Sequence, residues 1–339
     1  MDDHTEDFRP ALEQMGLVGP GEPLRLEALA GGVSSDIFRA EWPRGTACIK
    51  RALPKLKVAA DWQAPVERNR WEVEWMRVAA AIEPAAVPAI LGEAPDRGMF
   101  AMAYLDPVAH PVWKARLRDG HIDPDFAREV GRRLVRIHAA TAADPSMPAR
   151  FATDHIFHPI RLEPYLAATA RAHPDLAGPL EDLIAVTGRQ RLALVHGDVS
   201  PKNILAGPDG PVFLDAECAW FGDPSFDLAF CLNHLLLKCL WRPHWRDRYL
   251  DCFAALRDAY LDGVAWEPRD RLETRAARLL PGLFLGRIDG KSPVEYVDTD
   301  TARNAVRRVA RRLLAHPVER LADVSDAWRA ELAVGAAAP

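Results

Sequence analysis

Two short motifs place acidic and amide side chains at a spacing suited to phosphoryl transfer. The first runs from His196-Gly197-Asp198 to Asn203, five residues after the aspartate, and the second is Asp215-Ala216-Glu217. A carboxylate within hydrogen-bond reach can take the proton of an acceptor hydroxyl, and magnesium on a triphosphate prefers oxygen ligands. We therefore predict that Asp198 is the general base or orients the acceptor hydroxyl. Asn203 and Asp215 are the predicted magnesium ligands.

Two further acids near these motifs receive different predictions. Glu217 stands two residues after Asp215, and residues two apart at the end of a strand point the same way, so Glu217 is a candidate third metal ligand. A solvated loop glutamate is the alternative. Asp227 begins an apolar helix after the turn Gly222-Asp223-Pro224, where its carboxylate could accept N–H bonds from a neighbouring loop. We interpret Asp227 as support for the catalytic loop.

Three aromatic residues near the motifs carry weaker signals. His196 has no serine or cysteine beside it, so we expect its ring to brace the loop rather than activate a nucleophile. His138 shares a helical face with apolar residues, which favours a packed core histidine. Trp220 follows the second motif and could equally line an acceptor pocket or belong to the core.

Nucleotide phosphates need a cation, and Lys50, at the end of a strand-like run, is the candidate. A helical acid would pair with its ammonium. Glu72 and Glu74 compete for this role, and we prefer Glu72 because it shares a helix face with the apolar residues around it. The turn Gly31-Gly32-Val33-Ser34-Ser35 precedes Lys50 but lacks a G-x-G-x-x-G pattern. Its candidates for nucleotide contact are Gly32, Ser34 and Ser35.

The elements that must position these residues change character along the chain. Alternating or β-branched runs predict strands over residues 24–29, 37–42, 46–50, 87–92 and 99–104, and a helix over 65–82. Helical periodicity then dominates, over 126–141, 226–240, 245–261, 269–287 and the last segment. Only residues 192–195 and 212–214 look strand-like there, and they bracket the first motif. The predicted fold is α+β, with a five-stranded nucleotide-binding lobe at 1–103 and a helical lobe at 104–339 that carries the catalytic loop and the acceptor site.

Composition excludes several classes of protein. The chain has 339 residues and a net charge of -5, which gives no general reason to expect nucleic-acid binding. Its five cysteines have no metal-ligand spacing, so free thiols are expected. The longest apolar run, 228–241, is too short for a membrane span and predicts a buried helix. The N-terminus has no secretory pattern, and we expect a cytoplasmic protein with no membrane partner. The oligomeric state stays open.

The two motifs, with Gly222-Asp223-Pro224 and Asp227, closely resemble the aminoglycoside phosphotransferase superfamily, which includes choline and methylthioribose kinases. The resemblance implies a protein-kinase-like bilobal fold, ATP or GTP as donor, Mg²⁺, and a small-molecule hydroxyl as acceptor. It also implies that the purine is received at Met102-Ala103-Tyr104-Leu105 through backbone groups, with Ala103 and Leu105 as the contacts. The Asp-x-Glu form of the second motif is more similar to the choline and methylthioribose kinase branches.

One departure from protein kinases concerns Gly197. Protein kinases usually carry arginine before the catalytic aspartate, where it reads a phosphorylated activation loop, and only a short segment separates Asp215 from Asp227. We therefore predict neither a phosphorylation switch nor a protein substrate.

The acceptor is left open. Asp289, Glu295, Asp298 and Asp300 could contribute to a site for polycationic aminoglycosides, with a solvated acidic loop as the alternative. The surrounding segment, 287–296, mixes both charges and would suit a sugar or small polar metabolite equally well. A catalytically silent nucleotide-binding protein of the same fold, acting as sensor or scaffold, is the competing interpretation.

Overall fold

The computed structural model describes residues 4–29, 35–53, 65 and 67–336. A five-stranded antiparallel sheet of order β1-β2-β3-β5-β4 occupies the first hundred residues. Its strands are β1 (Arg25–Ala28), β2 (Ser35–Trp42), β3 (Gly45–Ala52), β4 (Ile90–Ala94) and β5 (Met99–Ala103). The five predicted strands are therefore present. The fourth begins at Ile90, three residues later than predicted, and a 3-10 turn over Pro84–Ala86 precedes it.

Two helices, α1 (His4–Gln14) and α2 (Arg68–Ile82), accompany this sheet. Successive side chains on a strand point to opposite faces, and on β3 Ile49 packs in the cluster around α1 while Cys48 belongs to the larger core with α2. Phe8 of α1 meets Phe38 at 4.7 Å between ring centroids. Sequence periodicity predicted α2 but not α1, because the apolar residues of α1 are few and lie among acids.

The rest of the described chain is mainly helical, with a large apolar core. The helices are α3 (Trp113–Arg118), α4 (Pro124–Ala142), α5 (Met147–Arg150), α6 (Asp154–Phe157), α7 (Ala168–Ala172), α8 (Ala177–Arg189), α9 (Ser225–Trp241), α10 (Arg246–Asp262), α11 (Arg269–Asp289), α12 (Asp300–Ala315) and α13 (Leu321–Ala336). A π-helical segment, His158–Ala167, joins α6 to α7. The α+β class and the helical character of this part are confirmed.

The central helix α9 is buried along almost its whole length. This confirms the buried helix predicted from the apolar run. All five cysteines are free and buried, as predicted. No helix within the described ranges is both long enough and apolar enough to cross a membrane.

Two short hairpins carry the motifs. Strand β6 (Ala193–Val195) pairs with β9 (Trp220–Gly222), and β7 (Ile204–Gly207) pairs with β8 (Gly210–Phe213). The sequence predicted β6 and β8 but missed β7 and β9, which are three or four residues long and have no alternating pattern. Because Ile204 lies opposite Phe213, the residues just outside the pair, Asn203 and Asp215, are brought to the same end of the hairpin.

Candidate active site

Lys50 lies at the centre of a buried charge cluster. In the sheet it stands opposite Ile37 on one side and Phe100 on the other. Its Nζ lies 2.7 Å from Glu72 Oε2 on α2 and 2.5 Å from Asp215 Oδ1. One side chain therefore connects the sheet, helix α2 and the second motif. We call Lys50, Glu72 and Asp215 the lysine cluster.

The charges in the lysine cluster offset one another. Burial alone would lower the pKa of Lys50, but Asp215 and Glu72 raise it above its ordinary value, so the amine stays protonated. Burial would raise the pKa of Asp215, yet Lys50 and Lys202 hold it below the usual range. Burial raises the pKa of Glu72 despite the adjacent Lys50. Asp215 is thus the more firmly ionised of the two acids.

Glu72, and not Glu74, is the acid that reaches Lys50. Glu74 faces outward, where its carboxylate accepts hydrogen bonds from Arg77 and Arg150, each at 2.9 Å. This difference follows from the helix, since residues two apart on α2 point in directions about 200° apart.

The carboxylate of Asp198 is buried and contacts two cations. Its Oδ2 lies 3.0 Å from an Nη2 of Arg161 on the π-helical segment and 3.2 Å from Nζ of Lys202. The Asp198 N–H donates to His196 Nδ1 at 3.1 Å. Burial lowers the pKa of His196, so the imidazole is neutral and braces the loop as predicted.

Asp227 anchors the backbone of the first motif. Its carboxylate accepts the N–H of His196 at 2.7 Å and that of Gly197 at 2.8 Å. His138 Nε2 lies 3.2 Å from the same carboxylate, and its Nδ1 lies 2.7 Å from the Tyr260 hydroxyl. The geometry matches the supporting role expected for Asp227, and His138 is packed and hydrogen-bonded in the core.

Gly197 is required by the backbone at this point. Its φ is +83°, a left-handed conformation that favours glycine. A Cβ placed there would stand 2.8 Å from Cys218 Cβ and 2.9 Å from Cys218 O. A larger residue would therefore be both strained and in collision with the strand-connecting segment.

Asn203 and Asp215 lie at the base of the β7–β8 hairpin. The Asn203 side-chain nitrogen donates to Asp198 O at 3.1 Å, which leaves its oxygen as the atom for a metal. Asp215 has φ of +68°, a conformation that costs a non-glycine residue about 1–3 kcal/mol and is common at functional sites. No group of three His, Cys, Asp or Glu side chains placed to hold a metal occurs within the described ranges. Magnesium commonly uses one or two protein oxygens together with nucleotide phosphates, and these two residues fit that mode.

Glu217 is buried and engaged by an arginine. Arg68 Nε donates to Glu217 Oε2 at 2.9 Å, and both side chains are almost fully buried. The alternative of a solvated loop glutamate is therefore wrong. Whether Glu217 also binds metal stays a prediction, with one of its oxygens already held by Arg68.

A cavity of about 380 Å³ opens between the sheet and the catalytic loop. Lys50, Glu72, Asn203 and Asp215 line one end of it. The segment 102–105, predicted to receive the purine, lines it as well. Because the Ala103 N–H already donates to Ala89 O at 2.8 Å, only the carbonyl of Ala103 is left as a candidate purine contact. Leu105 also lines the cavity, as predicted for a hinge residue.

Only part of the predicted turn can be placed. Gly32 and Ser34, with the rest of residues 30–34, lie outside the described residues. Ser35 begins β2, and its buried hydroxyl has no hydrogen-bond partner in the described part of the chain. It shares a strand face with Ile37, which lines the cavity.

Trp220 belongs to the core. It is almost fully buried and stacks on Phe157 with ring centroids 4.4 Å apart. Of the two interpretations that the sequence left open, packing is the correct one.

Three cations of the site were not predicted from the sequence. Lys202 stands four residues after Asp198, so its position within the first motif could have indicated it. Arg68 and Arg161 lie 149 and 36 residues, respectively, from their partners Glu217 and Gly197, and neither belongs to a motif. Only the tertiary structure shows them.

The sheet, the helical remainder and the site between them define a kinase-like α+β protein. Residues 25–262 match the model of the Phosphotransferase enzyme family (APH), which is well over half of the chain. The chain belongs to this family.

Curated relatives include methylthioribose kinases. The enzyme of Escherichia coli O45:K1 (strain S88 / ExPEC) is 25% identical over 265 residues, covering 70% of this chain and 62% of the relative. That of Erwinia tasmaniensis is 25% identical over 303 residues, covering 76% of this chain and 73% of the relative. The chain thus spans about 62% of the length of the first of these kinases.

Solved structures share the fold at low identity. A choline/ethanolamine kinase family protein from Mesorhizobium loti has a TM-score of 0.54 at 19% identity, covering 97% of this chain and 99% of the other. An amicoumacin kinase in complex with AMP-PNP, Ca²⁺ and Ami has a TM-score of 0.55 at 14% identity, covering 94% and 98%. These similarities confirm the bilobal kinase-like fold.

Proposed function

We propose that this chain is a small-molecule kinase that transfers the γ-phosphoryl group of ATP or GTP to a hydroxyl of a small acceptor. The observation that carries the proposal is the convergence of Lys50, Asp198, Asn203 and Asp215 around one cleft, with Lys50 fixed by Glu72. Membership of the phosphotransferase family and the methylthioribose kinase relatives support it.

In the proposed reaction each of these residues has a separate task. Lys50 contacts the nucleotide phosphates, and Asn203 and Asp215 hold Mg²⁺, which offsets the phosphate charge; Glu217 is the further metal candidate. Asp198 accepts the proton of the acceptor hydroxyl as its oxygen bonds to the γ-phosphorus. The bond between that phosphorus and the bridging oxygen breaks, and ADP or GDP leaves with the electron pair. Arg161 and Lys202 contact the Asp198 carboxylate and hold it in position.

The nucleotide would enter the cavity with its purine at 102–105 and its phosphates toward Lys50. Residues 1–103 would form the nucleotide-binding lobe, and residues 104–339 would supply the catalytic loop and the acceptor site. Gly32, Ser34 and Ser35 remain the proposed contacts from the turn between β1 and β2. Buried free thiols are consistent with a cytoplasmic location.

The silent nucleotide-binding protein is tested directly against this proposal. Asp198→Ala should lower acceptor-dependent ADP formation by about 10²–10⁴-fold, the usual worth of a general base, while Mg²⁺·nucleotide still raises the melting temperature. Asp262→Ala, at an exposed position, is the matched control and should leave both readouts unchanged. Wild-type protein that binds nucleotide but forms no ADP with sugars, amino alcohols, hydroxy acids or aminoglycosides would favour the silent protein.

A further inference from the structure

A second group of cations lies on the helical side of Asp198. Lys238 and His234 stand one turn apart on α9, and Arg287 lies near the end of α11. All three side chains are more than nine-tenths buried. We call Arg287 and Lys238, with the neutral His234 beside them, the cationic cluster.

Aromatic side chains connect the cationic cluster to Asp198. Arg161, which contacts Asp198, lies one turn from Tyr165 on the π-helical segment, and the Tyr165 hydroxyl accepts a hydrogen bond from Arg287 Nη1 at 3.2 Å. Phe230 packs between Tyr165 and His234, at 5.4 and 5.3 Å between ring centroids. The cationic cluster is therefore the next layer of side chains beyond Arg161.

The cationic cluster makes no direct ion pair with an acid in the described part of the chain. Arg287 Nη1 donates only to neutral oxygens, those of Tyr165 and Ser292. Arg287 Nε and His234 Nε2 are buried with no hydrogen-bond partner in the described part of the chain. A buried charge without a counter-ion is costly unless a ligand supplies one.

Three of the acids near this cluster are engaged elsewhere or exposed, and the fourth, Glu295, acts on Lys238 through its charge but forms no ion pair with it. Asp289 is held by Arg307 and His173, and Glu295 pairs with Lys114. Asp298 and Asp300 are exposed. The polycation site that these four acids could have formed is therefore not assembled around Arg287 and Lys238.

An aromatic pair beside the cluster is already occupied by a cation. Trp241 and Tyr296 stack with ring centroids 4.6 Å apart. Lys238 Nζ lies 5.0 Å from the Trp241 ring and 4.6 Å from the Tyr296 ring. Quaternary ammonium ligands bind to aromatic faces of this kind, and here the Lys238 ammonium already lies against them. A cationic acceptor would meet repulsion at this point.

We propose that the acceptor of this kinase carries an anionic group, a carboxylate or a phosphate, which binds between Arg287 and Lys238 while its hydroxyl reaches Asp198. The inference rests on the proposed function, since it concerns the acceptor of the same site. The planar guanidinium suits both kinds of anion, and the ammonium adds a second charge. The neutral His234 can supply a further donor.

The pKa of Lys238 is consistent with a site for an anion. Burial, with Lys114 nearby, lowers the pKa of Lys238 to about 7. Burial, with Arg287 and Lys238 nearby, also lowers the pKa of His234 well below its ordinary value. A bound anion would favour the protonated form of Lys238 and so be held by a full charge.

The test measures anion binding apart from turnover, with the nucleotide site filled. Protein saturated with Mg²⁺ and a non-hydrolysable ATP analogue is titrated with inorganic phosphate, glycerate, glycerol or choline, and the melting temperature is followed. Phosphate and glycerate should stabilise the wild type, whereas glycerol and choline should not. Lys238→Met and Arg287→Met should each weaken anion binding at least tenfold, and Arg287→Lys should restore part of it.

Arg278→Met is the matched control, because Arg278 lies on the same helix as Arg287 but is exposed and pairs with Glu319. It should change anion binding less than twofold. Equal anion affinity in wild type and Lys238→Met, or stabilisation by choline alone, would overturn the inference. A neutral or cationic acceptor with a higher kcat/KM than every anionic alcohol in an ADP assay would also overturn it. Failure of the nucleotide analogue itself to stabilise the protein would instead count against the proposed kinase.

Discussion

The lysine cluster contains Asp215 of the second motif, whereas the cationic cluster lies beyond Arg161, which contacts Asp198 of the first. The two clusters differ in how their buried charges are compensated. Lys50 is fixed by two carboxylates, at 2.7 and 2.5 Å. Lys238 and Arg287 are also buried, but their contacts are aromatic rings and neutral oxygens, and Glu295 acts on Lys238 without an ion pair. The first group is complete within the protein, and the second makes no ion pair within the described residues.

This difference separates two kinds of binding site. A compensated cluster is rigid before its ligand arrives, because each charged group already holds the others in place. An uncompensated cluster is retained at a cost in stability, which a ligand of opposite charge can recover. The proposed nucleotide site is therefore rigid before its ligand binds, whereas the proposed acceptor site would be stabilised by a bound anion.

The largest expected effect is on the lysine cluster. Lys50→Met would leave Glu72 and Asp215 facing each other without a cation, and removing one member of a buried ion pair typically costs about 3–5 kcal/mol. We expect a loss of this size in the free energy of unfolding, measured by urea denaturation. The double variant Lys50→Met/Glu72→Leu should recover part of it. A loss below about 1 kcal/mol would show that the cluster is not compensated as described.

In the cationic cluster, removal of the lysine is expected to increase the free energy of unfolding rather than to lower it. Lys238→Met removes an unpartnered buried charge, for which apolar replacement is often stabilising, but it also removes contacts with two aromatic rings. We expect a gain of about 1–2 kcal/mol near neutral pH, measured by the same denaturation. A loss of stability would mean that the cation–π contacts outweigh the burial of the charge, and the contrast between the two clusters would fail.

The pH dependence of that gain gives a sharper comparison. The pKa of Lys238 is about 7 in the fold against an ordinary 10.5, so the unfolded chain binds more protons between these values. Stability then rises with pH in this window: the penalty is fully present below the folded pKa and is lost above the unfolded one. The difference between wild type and Lys238→Met should be largest at about pH 6 and shrink by about pH 9. A constant difference would contradict a depressed pKa.

The smallest effect is expected at the edge of the cationic cluster. Glu295 is largely exposed, and its pair with Lys114 lies on the surface. Glu295→Gln should change the free energy of unfolding by no more than about 0.5 kcal/mol, as is usual for exposed ion pairs. A larger loss would identify Glu295 as the missing counter-ion of Lys238.

The sequence could predict the site residues that belong to local patterns, but not those whose partners lie far along the chain. Lys50, Asp198, Asn203 and Asp215 lie in or beside local patterns, so their spacing indicated them before the structure did. The preference for Glu72 over Glu74 came from helix periodicity alone, and the structure pairs Glu72 with Lys50. Strands β1 to β5 and the long helices likewise followed from periodicity.

The residues that the sequence missed have partners far along the chain. Arg68 meets Glu217 across 149 residues, and Arg287 meets Tyr165 across 122. No local pattern encodes such pairs, because an isolated arginine looks the same in a solvated helix and in a buried cluster. Helix α1 was missed for a related reason: its apolar residues have meaning only against the sheet that they cover.

Gly197 has a consequence for how control of this site could evolve. Its left-handed backbone, and the 2.8 Å at which an added Cβ would stand from Cys218 Cβ, leave no room for the arginine that protein kinases place before their catalytic aspartate. A single codon change would introduce the side chain without the loop geometry to hold it. A lineage with this fold would have to reroute the segment around Cys218 before phosphorylation could act on the catalytic loop.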